Sequence, residues 1–417
     1  MRIAYITQSY PPMVSGASIV VKNLAEGMAA CGHKVLVIAA SDRRESYKTI
    51  NCNLTVLRLC SFHNPFRIGQ RFIISPRPVF IRALRDFQPD LIHTHDALQL
   101  GMLSLIYKRK HKIPVVLTTH ALPNFAAKYI PAVFSSLRPV METSLWMYAW
   151  LILRKFDTVT TPTPTTSAMI SAITKIEPLS ISNGVDLNSF TPSRLTMDRK
   201  NALCTQLNLH PNVPIILYVG RLDTDKRVDQ VIRAAAHAMQ NTDAHLLVIG
   251  DGRQKPALMQ LCHSLGIKKR CHFPGYISME EGLHEIYRLA NLFVTASEIE
   301  TQGIVLLEAA ASGLPIVAVR ATCIPEIVHD GVNGYLTEPN DNTALGNAIT
   351  DLLLDPDKAM KMGRAGQRLV QEHNIQATFD SYEHLYANLI RREIFLRTLE
   401  KVKVHAWQER AKEWLNL

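Results

Sequence analysis

The run Glu300-Thr301-Gln302-Gly303-Ile304-Val305-Leu306-Leu307-Glu308 sets two carboxylates around a glycine and an apolar stretch. It follows a β-rich segment, Leu292 to Thr295, and opens a helical pattern that continues to Ser312. A helix starting there leaves the amides of Gly303, Ile304 and Val305 without intrahelical partners, at the positive end of the helix dipole. A diphosphate suits that environment, and Gly303 lets the backbone come close to it. At a rise of ~1.5 Å per residue, Glu308 stands about one turn behind those amides, where a nucleotide's ribose would follow its phosphates. One carboxylate can accept from both ribose hydroxyls. Glu300, ahead of the helix, would meet a sugar on the other side of the phosphates and face positive charge developing at its anomeric carbon. Taken singly, such acids would only favour a helix start and a solvated face; their neighbours set these two apart.

The second chemical segment, Tyr218-Val219-Gly220-Arg221-Leu222-Asp223-Thr224-Asp225-Lys226, delivers Arg221 and then Lys226 from the carboxyl end of a strand. Both can reach one leaving diphosphate. Fixed cations in that place take over what a divalent metal would otherwise do. Asp223 and Asp225 could instead hold magnesium, but a polar turn accounts for both acids. No metal site and no cofactor is therefore expected, a nucleotide sugar being a co-substrate. Gly16, between the first strand and its helix, permits close backbone approach to a ligand. His120, after the strand Val115 to Thr119, would face the same crevice as a hydrogen-bond partner.

Residues so placed need a scaffold. A chain of 417 residues is too long for one doubly wound unit and suits two domains with separate cores. Apolar β-rich runs alternate with amphipathic helical runs, the pattern of βαβ units and parallel sheets. Strands are predicted at Ile3–Thr7, Lys34–Ala39, Leu91–His93, Val115–Thr119 and Thr158–Thr161. A second set is predicted at Pro214–Gly220, His245–Gly250, His272–Pro274, Leu292–Thr295 and Ile316–Val319. The turn Asn183-Gly184, where the charge balance changes, marks a boundary. Residues 1–182 and 183–375 are each read as a Rossmann-like domain, with the charged helical run 376–417 packing back on the first. The fold class is α/β, two doubly wound parallel-sheet domains facing across a cleft.

Over nearly its whole length the sequence resembles the family-four retaining glycosyltransferases of the GT-B fold. The matching blocks are Gly16 with its helix, Thr118-Thr119-His120, Asn183-Gly184-Val185-Asp186, Val219-Gly220-Arg221 with Lys226, and Glu300 with Glu308. Gly250-Asp251-Gly252, Pro274-Gly275-Tyr276, Ala311-Ser312-Gly313-Leu314-Pro315 and Pro325-Glu326-Ile327-Val328 are also similar. The resemblance implies a metal-independent hexosyltransferase that retains configuration at the anomeric carbon. It implies Arg221 and Lys226 on the phosphates, Glu308 on the ribose, Glu300 on the sugar and His120 near the reacting centre. It also implies that the first domain meets the acceptor and the second binds the nucleotide sugar. Two positions depart from the family: Ser15 stands where the first of two glycines is usual, and Gln302 where an aromatic is common. Glu300-Thr301-Gln302-Gly303 resembles the subset that glycosylates diacylglycerol, so glucosyl transfer from UDP-glucose to a membrane lipid is the expected reaction. The alternatives are GDP-mannose with a soluble sugar or glycan acceptor, a GT-B sugar-nucleotide epimerase, and a non-catalytic nucleotide-sugar binder. The missing G-x-G-x-x-G after the first strand argues against a nicotinamide dehydrogenase.

Composition narrows the setting. With 47% hydrophobic and 20% charged residues the chain is neither disordered nor fibrous. Residues 1 to 185 hold 21 Lys+Arg against 9 Asp+Glu, while the rest hold 25 against 27, so the basic face belongs to the first half. Arg67, Arg71, Arg77, Arg82 and Arg85 cluster there, followed by Lys108, Arg109, Lys110 and Lys112. Phe66, Phe72, Ile73, Ile74, Val79, Phe80 and Ile81 lie among the arginines and could enter lipid headgroups, while each cation near an anionic surface adds ~1 kcal/mol. Peripheral contact with an anionic membrane is the expectation, a solvated basic surface the plainer alternative. Nucleic acid is not expected, since no recognition module is visible. Met1 leads straight into a strand without a secretory pattern, so the protein is expected in the cytoplasm, peripheral to the inner face of the membrane. The most apolar stretch, Leu145 to Leu153, is far short of a span. Seven scattered cysteines are read as buried, reduced thiols.

Overall fold

The computed structural model describes residues 1–13, 15–63, 71–74, 76–123, 138–191 and 195–415. Among these, two parallel sheets organise the chain. The first runs, in spatial order, Leu179–Ser180, Thr158–Thr161, Val115–Thr118, Leu91–Thr94, Arg2–Ile6, Lys34–Ala40, Leu54–Leu59 and Tyr47–Asn51. Only the last strand is antiparallel to its neighbour. The second runs Cys271–Gly275, His245–Ile249, Ile215–Val219, Leu292–Thr295, Ile316–Val319 and Gly334–Thr337, all parallel. Helices cover both faces, so the central strands are continuously apolar; every residue of Ile215–Val219 is buried.

Each sheet reverses its winding once. Arg2–Ile6 lies between Leu91–Thr94 and Lys34–Ala40, and Ile215–Val219 lies between His245–Ile249 and Leu292–Thr295. Connections leave such neighbours in opposite directions, so a crevice opens at their carboxyl ends. Arg221, Lys226 and Glu300 belong to loops at the second switch point, and His120 to a loop beside the first.

The chain crosses between the sheets twice, and the crossings are zipped together. The Val185 amide donates to the His373 carbonyl at 2.8 Å, and the Ile375 amide to the Val185 carbonyl at 3.0 Å. Gly184 has φ 73°, and a Cβ there would stand 2.6 Å from Thr378 Oγ1 and 2.7 Å from Ile375 Cα. Only glycine meets both demands. From Ile375 one helix continues to Leu415 and returns to the first sheet, where Tyr382, Tyr386 and Leu389 are buried with Ile3, Tyr5, Val35 and Val116. The two tyrosine hydroxyls satisfy polar groups inside that core. Tyr386 meets His93 Nδ1 at 2.6 Å and the Tyr5 hydroxyl at 3.1 Å, and Tyr382 meets Thr118 Oγ1 at 3.1 Å and Thr160 Oγ1 at 3.3 Å.

The cysteine reading needs correction. All seven are free thiols, but Cys31 and Cys52 are exposed and only Cys204, Cys262 and Cys323 are buried. Cys31 caps a helix end and Cys52 sits at positive φ in a hairpin turn, both surface positions. Among the described residues no helix is long and apolar enough to cross a membrane.

Candidate active site

In the second domain, a turn Thr224–Lys226 follows the strand Ile215–Val219 and aims Lys226 back across the switch point. Its Nζ donates to Glu300 Oε1 at 2.6 Å and to the Ile299 carbonyl at 3.3 Å. The ion pair is largely enclosed, with side-chain exposures of 17% and 16%. Arg221 turns within its own loop and donates to Asp223 and, at 2.9 Å, to Asp225. Both cations are matched by acids. Lys226 Nζ also reaches Ser297 Oγ at 3.4 Å, so each of its three donors has a partner.

The helix after Glu300 spans Ile304–Ala311, and Gly303 caps it at φ 78° with no side-chain hydrogen bond. The first-turn amides are thus left for a ligand. Opposite them stands the amino terminus of the helix Gly16–Ala30; a Cβ on Gly16 would lie 3.8 Å from Ile304 Cδ1. Two positive helix ends from two domains face the same space. Ser15, where the family usually has glycine, supplies the cap: its hydroxyl accepts from the Ser18 amide and its amide donates to Ser18 Oγ.

Glu308 lies one turn into the second helix, where Tyr287 donates to its Oε2 at 2.7 Å. Burial pushes its carboxyl up to about 7, partly offset by that hydrogen bond. Gln302 is fully buried, so it does not face the cleft. Its Oε1 accepts from the Asn183 amide at 2.9 Å and its Nε2 donates to Ser182 Oγ at 2.7 Å. The aromatic position of the family here clasps the crossing between domains.

On the first-domain side, His120 is half-buried, and burial lowers its imidazole to about 4. Its Nε2 lies 2.8 Å from Nδ1 of His95, a residue the sequence reading passed over. His95 follows the strand Leu91–Thr94, the same strand-end signal that singled out His120. Glu298 was also passed over; it accepts from Arg227 at 2.7 Å beside the Lys226–Glu300 pair.

The basic face is smaller than expected. Arg77, Arg82 and Arg85 are exposed on the helix Arg77–Phe87, whose Phe80 and Leu84 face the core. Arg71 must be withdrawn: it is 5% exposed and donates to Ser61 Oγ at 2.7 Å, because its strand pairs with Ser61–His63 and turns it inward. Ile73 and Phe80 are likewise buried, whereas Phe72, Ile74 and Val79 are exposed. Arg67 and Phe66 lie outside the described residues. Lys108 is drawn to Asp157 at 2.8 Å, but Arg109 and Lys110 are exposed. A groove of about 420 Å³ between the helix Arg77–Phe87 and the helix Gln99–His111 is lined by Arg77, Arg82, Arg85, Ile106, Tyr107 and Lys110. Exposed Met147, Trp150 and Leu151 on the helix Arg138–Leu153 add apolar surface that only the hydropathy of that stretch foreshadowed.

Two doubly wound domains, hinged by paired crossings and presenting strand carboxyl ends to one cleft, define a GT-B glycosyltransferase. Two family models take one domain each: "Glycosyltransferase Family 4" matches residues 14–189 and "Glycosyl transferases group 1" residues 201–369. The chain belongs to these glycosyltransferases and is a hexosyltransferase enzyme. It is similar to the alpha-monoglucosyldiacylglycerol synthase of Acholeplasma laidlawii, 26% identical across 94% of this chain and 98% of that one. The Streptococcus pneumoniae protein of the same description is 28% identical across 86% and 79%. Among solved structures, sucrose-phosphate synthase from Thermosynechococcus elongatus superposes with a TM-score of 0.77 at 25% identity, over 94% of this chain and 100% of that one.

Proposed function

We propose that this enzyme moves a glucosyl unit from UDP-glucose to a membrane lipid such as diacylglycerol, retaining anomeric configuration and using no divalent metal. The observation that carries the reaction is the enclosed Lys226–Glu300 pair beside the uncapped helix start at Gly303. The diphosphate sits on the amides of Gly303, Ile304 and Val305, with Gly16 opposite. Lys226 and Arg221 bring positive charge beside it, so negative charge on the departing nucleotide is matched as it forms. Asp223 and Asp225 already accept from Arg221, which supports cationic rather than metal neutralisation. Glu300 orients sugar hydroxyls and faces the developing positive charge, Glu308 accepts from the ribose, and His120 contacts the sugar.

The lipid acceptor is supported by the activity named for the Acholeplasma and Streptococcus relatives and by the basic face of the first domain. Arg77, Arg82, Arg85 and Lys110 offer charge to an anionic surface, and the exposed Met147 and Trp150 of the helix Arg138–Leu153 offer it apolar contact. The test is transfer in EDTA from UDP-glucose, and separately GDP-mannose, to diacylglycerol in vesicles of phosphatidylglycerol. An α-linked glucolipid is the expected product. Turnover that needs magnesium, or that occurs only with a soluble sugar acceptor, overturns the proposal. Sedimentation checks the surface: the protein pellets with anionic vesicles, is released by salt, and loses binding when Arg77, Arg82 and Arg85 become serine.

A further inference from the structure

His95 and His120 form a pair whose geometry decides where their protons lie. The rings are 13° from coplanar with centroids 5.1 Å apart, and Nδ1 of His95 is 2.8 Å from Nε2 of His120. The contact is edge to edge, along the in-plane direction of an imidazole N–H or lone pair. His95 is held in that pose by its own amide, which donates to the Ile6 carbonyl at 2.7 Å. It is also held by the ring of His93, 4.3 Å away, itself pinned between Tyr386 at 2.6 Å and Thr118 at 2.6 Å. Burial lowers the imidazoles of both His95 and His120, so near neutral pH each ring carries one proton. One ring must therefore donate and the other accept.

The remaining ring nitrogens settle the direction. Among the described residues, Nε2 of His95 is buried with no partner. An orphaned buried N–H is rarer and costlier than an orphaned lone pair. The proton of His95 accordingly belongs on Nδ1, donated to Nε2 of His120, and this forces the proton of His120 onto its Nδ1. Free neutral histidine prefers the opposite tautomer, with the proton on Nε2. We propose that His95 is a positioning residue: it holds His120 as the Nδ1–H tautomer, so that His120 presents a donor to a hydroxyl oxygen of the transferred sugar. The inference rests on the reading of His120 as the side chain facing that sugar. It adds a second histidine that touches no substrate and acts through the first.

The experiment pairs two substitutions with a direct view of the proton. His95→Ala removes the donor and lets His120 revert, while His95→Asn places an amide N–H where Nδ1 stood. With UDP-glucose, kcat of His95→Ala is expected to fall about 100-fold with the affinity for UDP unchanged, as for loss of one preorganised donor. His95→Asn is expected within about 3-fold of wild type. Nitrogen-15 NMR of histidine-labelled wild type, assigned with His120→Gln, is expected to show protonated Nδ1 and bare Nε2 at His120. Equal activity of the Ala and Asn variants overturns the proposal. So does a protonated Nε2 at His120 in the wild type, whatever the variants do. Full activity of His120→Gln instead refutes the sugar contact, while the wild-type NMR result still decides the tautomer.

Discussion

Replacing Glu308 with glutamine tests the energetics of a buried carboxyl without disturbing its shape. Burial raises this carboxyl from 4.5 to about 7, so the folded protein holds its proton more tightly than the unfolded chain. Stability contributed by the protonated form is complete below the unfolded value and is lost as pH rises from 4.5 through about 7. At pH 8.5 the ionised side chain costs about 3 kcal/mol, at ~1.4 kcal/mol per pH unit. Glutamine has the same shape, still accepts from Tyr287, and carries none of that cost. The variant should therefore exceed wild type by about 3 kcal/mol at pH 8.5 and by less than about 1 kcal/mol at pH 5, read from urea midpoints with m-values held equal. Function should move the other way. If Glu308 accepts from the ribose, UDP favours the carboxylate, so UDP affinity in wild type falls up to about tenfold per unit below pH 7. The variant should bind UDP about 10- to 100-fold more weakly at pH 8 and lose most of that slope. Calorimetry in two buffers of different ionisation enthalpy reads the proton released on binding. A stability difference that is the same at both pH values would refute the reasoning, because it would mean that burial does not bear on ionisation at this site.

On the proposed mechanism, Lys226→Met should lower kcat for glucosyl transfer by about 10² to 10³, since it would remove a cation from the forming diphosphate and leave Glu300 without its partner; wild-type turnover would remove Lys226 from that mechanism. Gln302→Ala should cost about 2 to 4 kcal/mol, because it leaves the buried Asn183 amide unpaired; an unchanged urea midpoint would show that the clasp carries no energy. Tyr386→Phe should cost about 1 to 3 kcal/mol by stripping a partner from both His93 and Tyr5, measured by thermal unfolding.

The legible part of the fold was the part buried on both faces. Runs such as Ile215–Val219 and Ile316–Val319 are uniformly apolar because helices cover them twice, and the predicted spans differ from the observed ones by little. Tyr47–Asn51 was passed over because an exposed antiparallel edge strand needs no apolar pattern; four of its five residues face solvent. In Leu54–Leu59 the alternation of buried Leu54 and Val56 is broken by a buried Arg58, which blurs the strand pattern. At the site, strand ends located Arg221, Lys226 and Glu300, since the carboxyl edge of a parallel sheet is set by local sequence. Their pairing was not legible, because Lys226 and Glu300 meet only through the adjacency of two strands distant in the chain. Gln302 was noticed as a departure, but its role depends on the crossing at Ser182 and Asn183. The reach of Arg71 inward was hidden for the same reason, its partner strand being set by a hairpin rather than by periodicity.

The dependence of the first sheet on Tyr382 and Tyr386 has a consequence for biosynthesis. Tyr5, His93, Thr118 and Thr160 are all translated well before the hydroxyls that satisfy them, and the Tyr5–Tyr386 contact spans 381 positions. At roughly 5 to 20 residues per second, the ribosome needs on the order of ten seconds or more between Thr160 and Tyr382. Throughout that interval one face of the first sheet lacks the part of its core that Tyr382, Tyr386 and Leu389 supply, while its other face closes on buried residues from Ala4 to Ile170 and the second sheet closes on its own contiguous strands and helices. A stalled or nonsense-terminated chain ending before that helix therefore carries a complete carboxyl-terminal core joined to a first sheet with one face only partly covered.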